Sequence, residues 1–496
     1  MRLNTNPSRY VYYPTQIMKN LNRRTFLKST ALAAATFSVP ARSWAQVAGS
    51  NSDVRVAVVG FNGRGGDHIK ALKKADGARI TALCDADKSV LSRGVANVGE
   101  VESYTDIRKL LESKNVDAIS IATPNHWHAL ATIWAIQAGK DVYVEKPVSH
   151  NVSEGRRMVE FARKYEKIVQ TGTQSRSSIQ GIKAAVAWVK EGHLGKIKVA
   201  RGLCYKPRGS IGKVDGPQPI PDNIDYDLWC GPALKLPLMR KRLHYDWHWV
   251  WNTGCGDLGN QGIHEMDVAR WFLGAMALAP RVFSVGGRLG YIDDGETPNT
   301  MVIYHDYPGA PLIFEVRGLP SKSGSKDMDH YKGVRSGVGI SIECEGGQVA
   351  VPSYTAATAY DNDGKVVKEF RGSEEHHENW LKAVRNRKVE TLNADILEGH
   401  YSSALCHTGN ISYRLGAAKS PDEIKEAVKG DSGLAEGFAR MSEHFAANGV
   451  DIDKDKVTLG VPLKMDPATE RFIGNDKANE LLTRPYRAPF IVPAKA

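Results

Sequence analysis

From residue 54 onward, short apolar runs alternate with stretches in which apolar residues recur at three- and four-residue spacing. Val54–Val59, Arg79–Cys84, Val116–Ala122 and Asp141–Val144 are rich in β-branched and apolar residues and read as strands. His68–Lys73, Tyr104–Leu111 and Ala129–Gly139 take helical spacing between them. Strand and helix alternating in this way predict parallel strands joined by helical crossovers, hence a sheet covered on both faces. Beyond it, Val152–Tyr165 and Ala185–Gly192 read as helices and Ile197–Cys204 as the start of a second sheet. Met301–Tyr304, Leu312–Val316 and Val338–Glu343 continue that sheet in an antiparallel style. Ile263–Leu273 is a helix stopped by Gly274, and Asn379–Arg385 and Ser402–Tyr413 are two more, the last expected to pack back on the first domain.

The polar motifs of the first region all fall at strand carboxyl ends, where open parallel sheets bind ligands. Gly60-Phe-Asn-Gly-Arg-Gly65 lies between a strand and a helix, as a dinucleotide fingerprint requires. Gly60 and Gly65 fit G-x-G-x-x-G; Asn62 takes the middle place and Gly63 follows, with Arg64 between the last two glycines. Asparagine tolerates left-handed backbone, so the turn is expected to survive at Asn62. Asp85 closes the next strand, where an acidic residue accepts ribose hydroxyls and repels a 2′-phosphate, favouring NAD over NADP. Asp85 also suits a turn with Asp87. Thr123, Pro124 and Asn125 end the third strand, and Glu145-Lys146-Pro147 the fourth. His126 and His128 stand two apart before a helix and do not converge on one ion without a third ligand. No metal is expected, and His128 is placed beside a nicotinamide ribose. Adjacent His376 and His377 splay apart and are not read as ligands either.

Charge and composition narrow the classes. The 496 residues carry 42% hydrophobic and 24% charged residues, ordinary for a chain of two or three domains. The formal charge of +11 is concentrated at the front: residues 1–45 hold seven Lys and Arg and no Asp or Glu, which leaves +4 elsewhere. No basic patch with interleaved aromatics stands out, so nucleic acid is not an expected partner. Asn22-Arg-Arg-Thr-Phe-Leu-Lys28, the apolar Ala31–Phe37 and Ser43-Trp-Ala45 resemble a twin-arginine export signal with its cleavage site, implying the twin-arginine machinery and a periplasmic or otherwise exported chain. No apolar run is long enough to span a bilayer in the mature chain. Six cysteines without C-x-x-C spacing suggest neither a zinc ribbon nor a dense disulfide framework.

Taken together, Gly60–Gly65, Asp85, Thr123–Asn125 and Glu145–Pro147, in this order and spacing, resemble the Gfo/Idh/MocA family (glucose–fructose oxidoreductase and inositol dehydrogenase). The resemblance covers about residues 54–416. It implies a catalytic Lys146 against the nicotinamide, positioning and deprotonating a hydroxyl. It puts the domain junction near Gln174 and Arg176, beside cofactor and substrate respectively. The family's Asp-x-x-x-His pattern falls on Asn260 and His264: His264 becomes the general base, and Asn260 stands where an aspartate binds substrate hydroxyls. An amide hydrogen-bonds but bears no charge, and Asp257 is the nearest compensating carboxylate. The aromatic block Tyr245–Trp251, Trp247 in particular, suits stacking on a sugar face. Family members also use one face of the second sheet for oligomer contacts, implying a homodimer or tetramer.

The expected architecture is α/β: an export signal (1–45), a Rossmann NAD(P)-binding domain (53–174), an α+β substrate and oligomerisation domain with a large, mostly antiparallel open sheet (175–418), and a C-terminal extension (419–496) without evident chemistry. The leading function is an exported NAD(P)-dependent oxidoreductase acting on a hydroxyl of a sugar, polyol or glycoside, with a tightly bound, recycled cofactor. An NAD-dependent glycosidase or lyase using transient oxidation is the alternative. A non-catalytic sugar or dinucleotide sensor is a third.

Overall fold

In the computed structural model, residues 53–496 are described; the twin-arginine stretch lies outside them. The chain opens with β1 (Val54–Val59), α1 (Arg64–Lys74), β2 (Ala78–Cys84), α2 (Lys88–Val98), β3 (Glu102–Tyr104) and α3 (Ile107–Leu111). It continues with β4 (Ala118–Ile121), α4 (Asn125–Gln137), β5 (Asp141–Val144), α5 (Val152–Lys164) and β6 (Val169–Thr171). These six strands form a parallel sheet in the order β3-β2-β1-β4-β5-β6. The order reverses between β1 and β4, which opens a crevice at their carboxyl ends. Two local expectations are corrected. Tyr104 belongs to a short strand, and the helix after it starts only at Ile107, capped by the Asp106 side chain. The first helix begins at Arg64, four residues before His68, directly out of the glycine turn.

Alternate residues of β1 face opposite layers. Ala57 and Val59 pack with Ile119, Ile121 and the apolar side of α4 and α5. Val56 and Val58 pack with Ile69, Leu72 and Tyr143. That second layer is completed from far along the chain by α9 (His376–Asn386), whose Trp380, Leu381 and Val384 join it.

Between the two sheets run a 3₁₀ turn (Gln174–Ser177), a π turn (Ile179–Lys183) and α6 (Ala184–Lys190). The second sheet comprises β7 (Ile197–Tyr205), β8 (Arg281–Gly287), β9 (Thr300–His305), β10 (Leu312–Arg317), β11 (Val338–Cys344), β12 (Gly347–Ser353), β13 (Ala356–Asp361) and β14 (Val366–Arg371). Short strands β15 (Ala417–Lys419), β16 (Val457–Leu459), β17 (Leu463–Asp466) and β18 (Arg471–Phe472) extend it past β8. Its pairs are antiparallel except β7 with β10. Against one face lie α8 (Ile263–Leu273) and α10 (Ile396–Arg414), with Met266, Phe272, Phe314 and Leu405 in one core. Between β7 and α8 the chain also forms the short α7 (Tyr226–Cys230).

The last 78 residues, which the sequence left without a role, begin by covering the opposite face. Here α11 (Pro421–Val428) and α12 (Ser432–Ala447) set Ile424, Leu434, Phe438, Met441 and Phe445 onto Phe283, Val285, Val302 and Ile313. Burying each such side chain is worth about 1.5–3 kcal/mol. Over β8–β10, then, this face carries the chain's own helices. A final short helix, α13 (Asp476–Glu480), precedes a tail that returns to the first sheet.

Candidate active site

A cleft lies at the carboxyl ends of β1, β2, β4 and β5, and the glycine turn is its floor. Gly60 has φ +74°, and a Cβ there would meet the Thr123 backbone at 2.8 Å. A Cβ on Gly65 would sit 2.1 Å from the Gly60 carbonyl oxygen. The left-handed residue is therefore Gly60, and Asn62 needs no such conformation. α1 starts with no side-chain cap, and Gly63 and Arg64 at its start line the cleft, at the positive end of the helix dipole. Asn62, Gly63, Arg64, Thr123, Pro124, Asn125 and His128 all line it, and the buried Thr123 Oγ1 lacks a partner among the described residues. A glycine cradle, free helix N–H groups and an unspent hydroxyl fit a dinucleotide pyrophosphate.

Asp85 also lines the cleft. Its Oδ2 accepts the Phe61 N–H at 3.1 Å and its Oδ1 the Asp87 N–H at 3.0 Å. It thus makes both the turn and the cleft wall. Burial raises its carboxyl above the ordinary value, against the pull of these backbone N–H groups.

The Glu145-Lys146-Pro147 motif is the centre of a hydrogen-bonded network. Glu145 Oε1 accepts from Arg64 Nε at 3.0 Å and Gln174 Nε2 at 3.2 Å, and His68 Nε2 lies 3.0 Å away. His68 Nδ1 reaches Ser120 Oγ at 2.9 Å. Burial alone would raise the Glu145 carboxyl, but the His68 hydrogen bond and the charges of His68, Arg64 and Lys146 hold it well below the ordinary value. Gln174 touches Glu145 and the Tyr143 hydroxyl and does not line the cleft. Lys146 does, and its Nζ donates to the main-chain carbonyl of Asn260 at 2.7 Å. Burial pulls its ammonium below the ordinary value, offset by Glu145. His128 ties this motif to the Thr123 loop: Nδ1 lies 2.6 Å from the Pro147 oxygen and Nε2 2.7 Å from that of Thr123. Burial keeps the ring neutral, so it donates to one of them at a time.

The second constellation meets the first through Asn260. Leu258–Gly262 is a π turn feeding straight into α8, and His264 sits in that helix's first turn. His264 is buried, packs its ring against Tyr354 at 4.7 Å and has no partner at Nδ1 among the described residues. Burial, and then the Lys146 charge, push it down to about 3, so the ring is neutral, and it lies behind the residues that line the cleft. Asn260 lines the cleft, with its amide 3.4 Å from Asp257 Oδ1. Asp257 is spent on Arg208, whose Nε and Nη2 donate to it at 2.8 and 2.7 Å. It therefore braces Asn260 and does not reach the cleft. Arg176 is not brought to the cleft either. It is buried in a bidentate pair with Asp267, its Nη2 lies 3.0 Å from Glu398, and it stacks over Trp271. Strand-end chemistry marked Lys146 and Asp85, but nothing local distinguishes Arg176 from a cleft arginine.

The cleft also has a roof. Leu228, Trp229, His244, Tyr245, Trp247 and His248 line it opposite the Rossmann strands, with Trp247 stacked on His248 at 3.6 Å. Of these, Tyr245, Trp247 and His248 fall in the aromatic block read from the sequence, and Trp247 alone was named as a site residue. His68, Arg208 and Tyr354 were missed as well, being polar or aromatic residues outside any motif.

Known proteins resemble this chain in the same two parts. The profile described as "Oxidoreductase family, NAD-binding Rossmann fold" matches residues 54–173, and that of the family's "C-terminal alpha/beta domain" matches 180–310. A glycosyl hydrolase family 109 protein of Shewanella pealeana is 32% identical over 30% of this chain and 38% of its own length. Myo-inositol 2-dehydrogenase of Thermotoga maritima is 29% identical over 45% of this chain and 55% of its own length. The chain thus aligns with between a third and just over half of these relatives. The WlbA dehydrogenase of Bordetella pertussis, solved with NADH and UDP-GlcNAcA, shares the fold at 20% identity with a TM-score of 0.52, covering 71% of this chain and 94% of its own. With both family profiles matched in order on its two sheets, the chain belongs to the Gfo/Idh/MocA oxidoreductase family, with an NAD-binding Rossmann domain at residues 54–173.

Proposed function

We propose that the protein is an exported NAD-dependent oxidoreductase acting on a hydroxyl of a sugar, polyol or glycoside, and that it keeps its cofactor bound through turnover. The observation that carries this reading is Lys146, held in a dinucleotide cleft by the main-chain carbonyl of Asn260, with the neutral ring of His264 within reach of its charge. A bound nicotinamide would supply the hydride acceptor. The chain's own residues do the rest. Lys146 holds the substrate hydroxyl and takes part in its proton transfer, and a pKa drawn toward neutrality favours that exchange. His264 offers a neutral base. The Asn260 carbonyl fixes the lysine, and Trp247 offers an apolar face for a sugar ring. The roof residues cover the cleft opposite the Rossmann strands. Inositol dehydrogenases among the relatives act on a polyol, in keeping with this substrate class.

The family 109 glycosyl hydrolase relatives favour a second reading, in which oxidation is transient and a glycosidic bond is broken with no net redox. One assay separates the two. Chromogenic glycosides and free sugars are offered to the protein with and without an added electron acceptor. Turnover that depends on acceptor supports the oxidoreductase, aglycone release without acceptor supports the glycosidase, and no turnover with any sugar or glycoside opposes both. Export rests on the Asn22–Lys28 motif, and fractionation of the native host for the processed chain tests it.

A further inference from the structure

We infer that Arg487, in the C-terminal tail, is a positioning residue that clamps the roof of the dinucleotide cleft and so sets how long the dinucleotide stays bound. The inference rests on the dinucleotide reading of the cleft.

The roof is fastened on two sides. At the mouth, Asp87 accepts from Asn223 Nδ2 at 2.7 Å and pairs with His244 Nε2 at 3.0 Å, while the Lys88 N–H donates to the Asn223 carbonyl at 2.9 Å. That edge closes beside Asp85, where the ribose hydroxyls would lie. At the back, the fastening comes from the far end of the chain. Arg487 Nη1 donates to Asp227 Oδ1 at 2.9 Å, and Nη2 donates to the carbonyls of Asp227 at 2.8 Å and Gly231 at 3.0 Å. These carbonyls bracket Leu228 and Trp229, two of the roof residues that line the cleft. The guanidinium lies over Phe490, whose ring packs edge-on against Trp127 of α4 at 5.6 Å. Trp127 in turn donates its Nε1 to the carbonyls of Leu228 and Trp229 at 3.0 and 3.1 Å, and a Cβ on Gly231 would strike its ring at 2.2 Å. Tail, roof and Rossmann helix thus close into one ring of contacts. A planar five-donor fork is the group that satisfies a side-chain oxygen and two carbonyls at once. Leu228 and Trp229 must withdraw from Trp127 before a buried dinucleotide leaves, and Arg487 opposes that withdrawal. Opening of such covers sets release rates in many enzymes.

The test uses the full chain loaded with NADH, with release followed by NADH fluorescence after a chase of excess NAD and tryptophan-to-NADH energy transfer read alongside. Arg487→Ala is expected to release NADH at least tenfold faster and to lose energy transfer. Arg487→Lys, which keeps one charge but not the fork, should fall between. Arg281→Ala breaks a pair with Asp431 on the far side of the second sheet and is expected to lower melting temperature while leaving release unchanged. Should Arg487→Ala fail to fold, Arg487→Lys and Phe490→Ala carry the test. Release within twofold of wild type in the folded variants, or equal acceleration by Arg281→Ala, overturns the proposal alone. A wild-type chain that takes up no NADH overturns the dinucleotide reading beneath it.

Discussion

Lys146 Nζ is fixed by the main-chain carbonyl of Asn260 at 2.7 Å, not by that residue's side chain. The side chain at 260 can therefore change without unseating the lysine. Asn260→Ala is expected to keep activity within about tenfold of wild type, with the change mostly in KM, because a substrate hydrogen bond is lost and the carbonyl stays. Lys146→Ala should lower kcat by about 100- to 10,000-fold with NADH affinity nearly unchanged. Equal losses from both substitutions, in steady-state kinetics, would contradict this division of labour.

His264 and Lys146 make a pH prediction. With His264 held at about 3, its ring is neutral throughout the working range and adds no limb near pH 6.5 to kcat/KM. The limb that appears belongs to Lys146 and lies below the ordinary 10.5, with oxidation rising as the pH rises through it. His264→Gln should cost about 100-fold or more in rate and leave that limb in place. A wild-type limb near 6.5 that disappears in His264→Gln contradicts the assignment.

The cradle allows a sharper test of geometry. A Cβ at Gly65 would sit 2.1 Å from the Gly60 oxygen, so Gly65→Ala must open the turn. Calorimetric titration is expected to show at least a tenfold loss of NAD affinity, with thermal stability reduced by more than about 1 kcal/mol, since the native backbone does not admit the methyl group. Gly63→Ala, where a Cβ meets no protein atom within 4 Å, should keep the thermal stability of wild type.

Much of this site is legible in the chain because its chemistry sits at strand ends. Gly60, Asp85, Thr123 and Lys146 each follow an apolar run, and the sheet brings such positions together by construction. What could not be read depends on contacts across long separations. Arg208 is bound to Asp257 across 49 residues, and His68 to Glu145 across 77. The helix carrying Trp380 completes the Rossmann core from more than 230 residues beyond Tyr143. The short β3 was missed because Glu102-Ser-Tyr104 has only one apolar residue; pairing with β2 makes it a strand. The covering of the second sheet by α12 was invisible for a related reason. Its amphipathic face specifies burial but not the partner.

His305 predicts how the fold responds to acid. It is fully buried in β9, neither ring nitrogen has a partner among the described residues, and burial pushes it down to about 3 from 6.5. The unfolded chain binds the proton near pH 6.5 and the folded chain resists until about 3. Stability is therefore lost as the pH falls below 6.5, at about 1.4 kcal/mol per pH unit for this one group. His305→Leu is expected to be at least as stable as wild type at pH 7 and to show a shallower decline between pH 6 and 4 by about that slope. Urea titrations at several pH values check it, and an unchanged slope would mean that His305 is not held neutral in the fold.

The central claim, that the cleft above Gly60–Gly65 holds NAD(H) against Lys146, is tested most directly by calorimetric titration of the purified, nucleotide-stripped chain with NADH and NADPH. One NADH per chain, bound at least tenfold more tightly than NADPH and displaced by NAD, is the predicted result. No binding of either nucleotide at millimolar concentration would contradict the account.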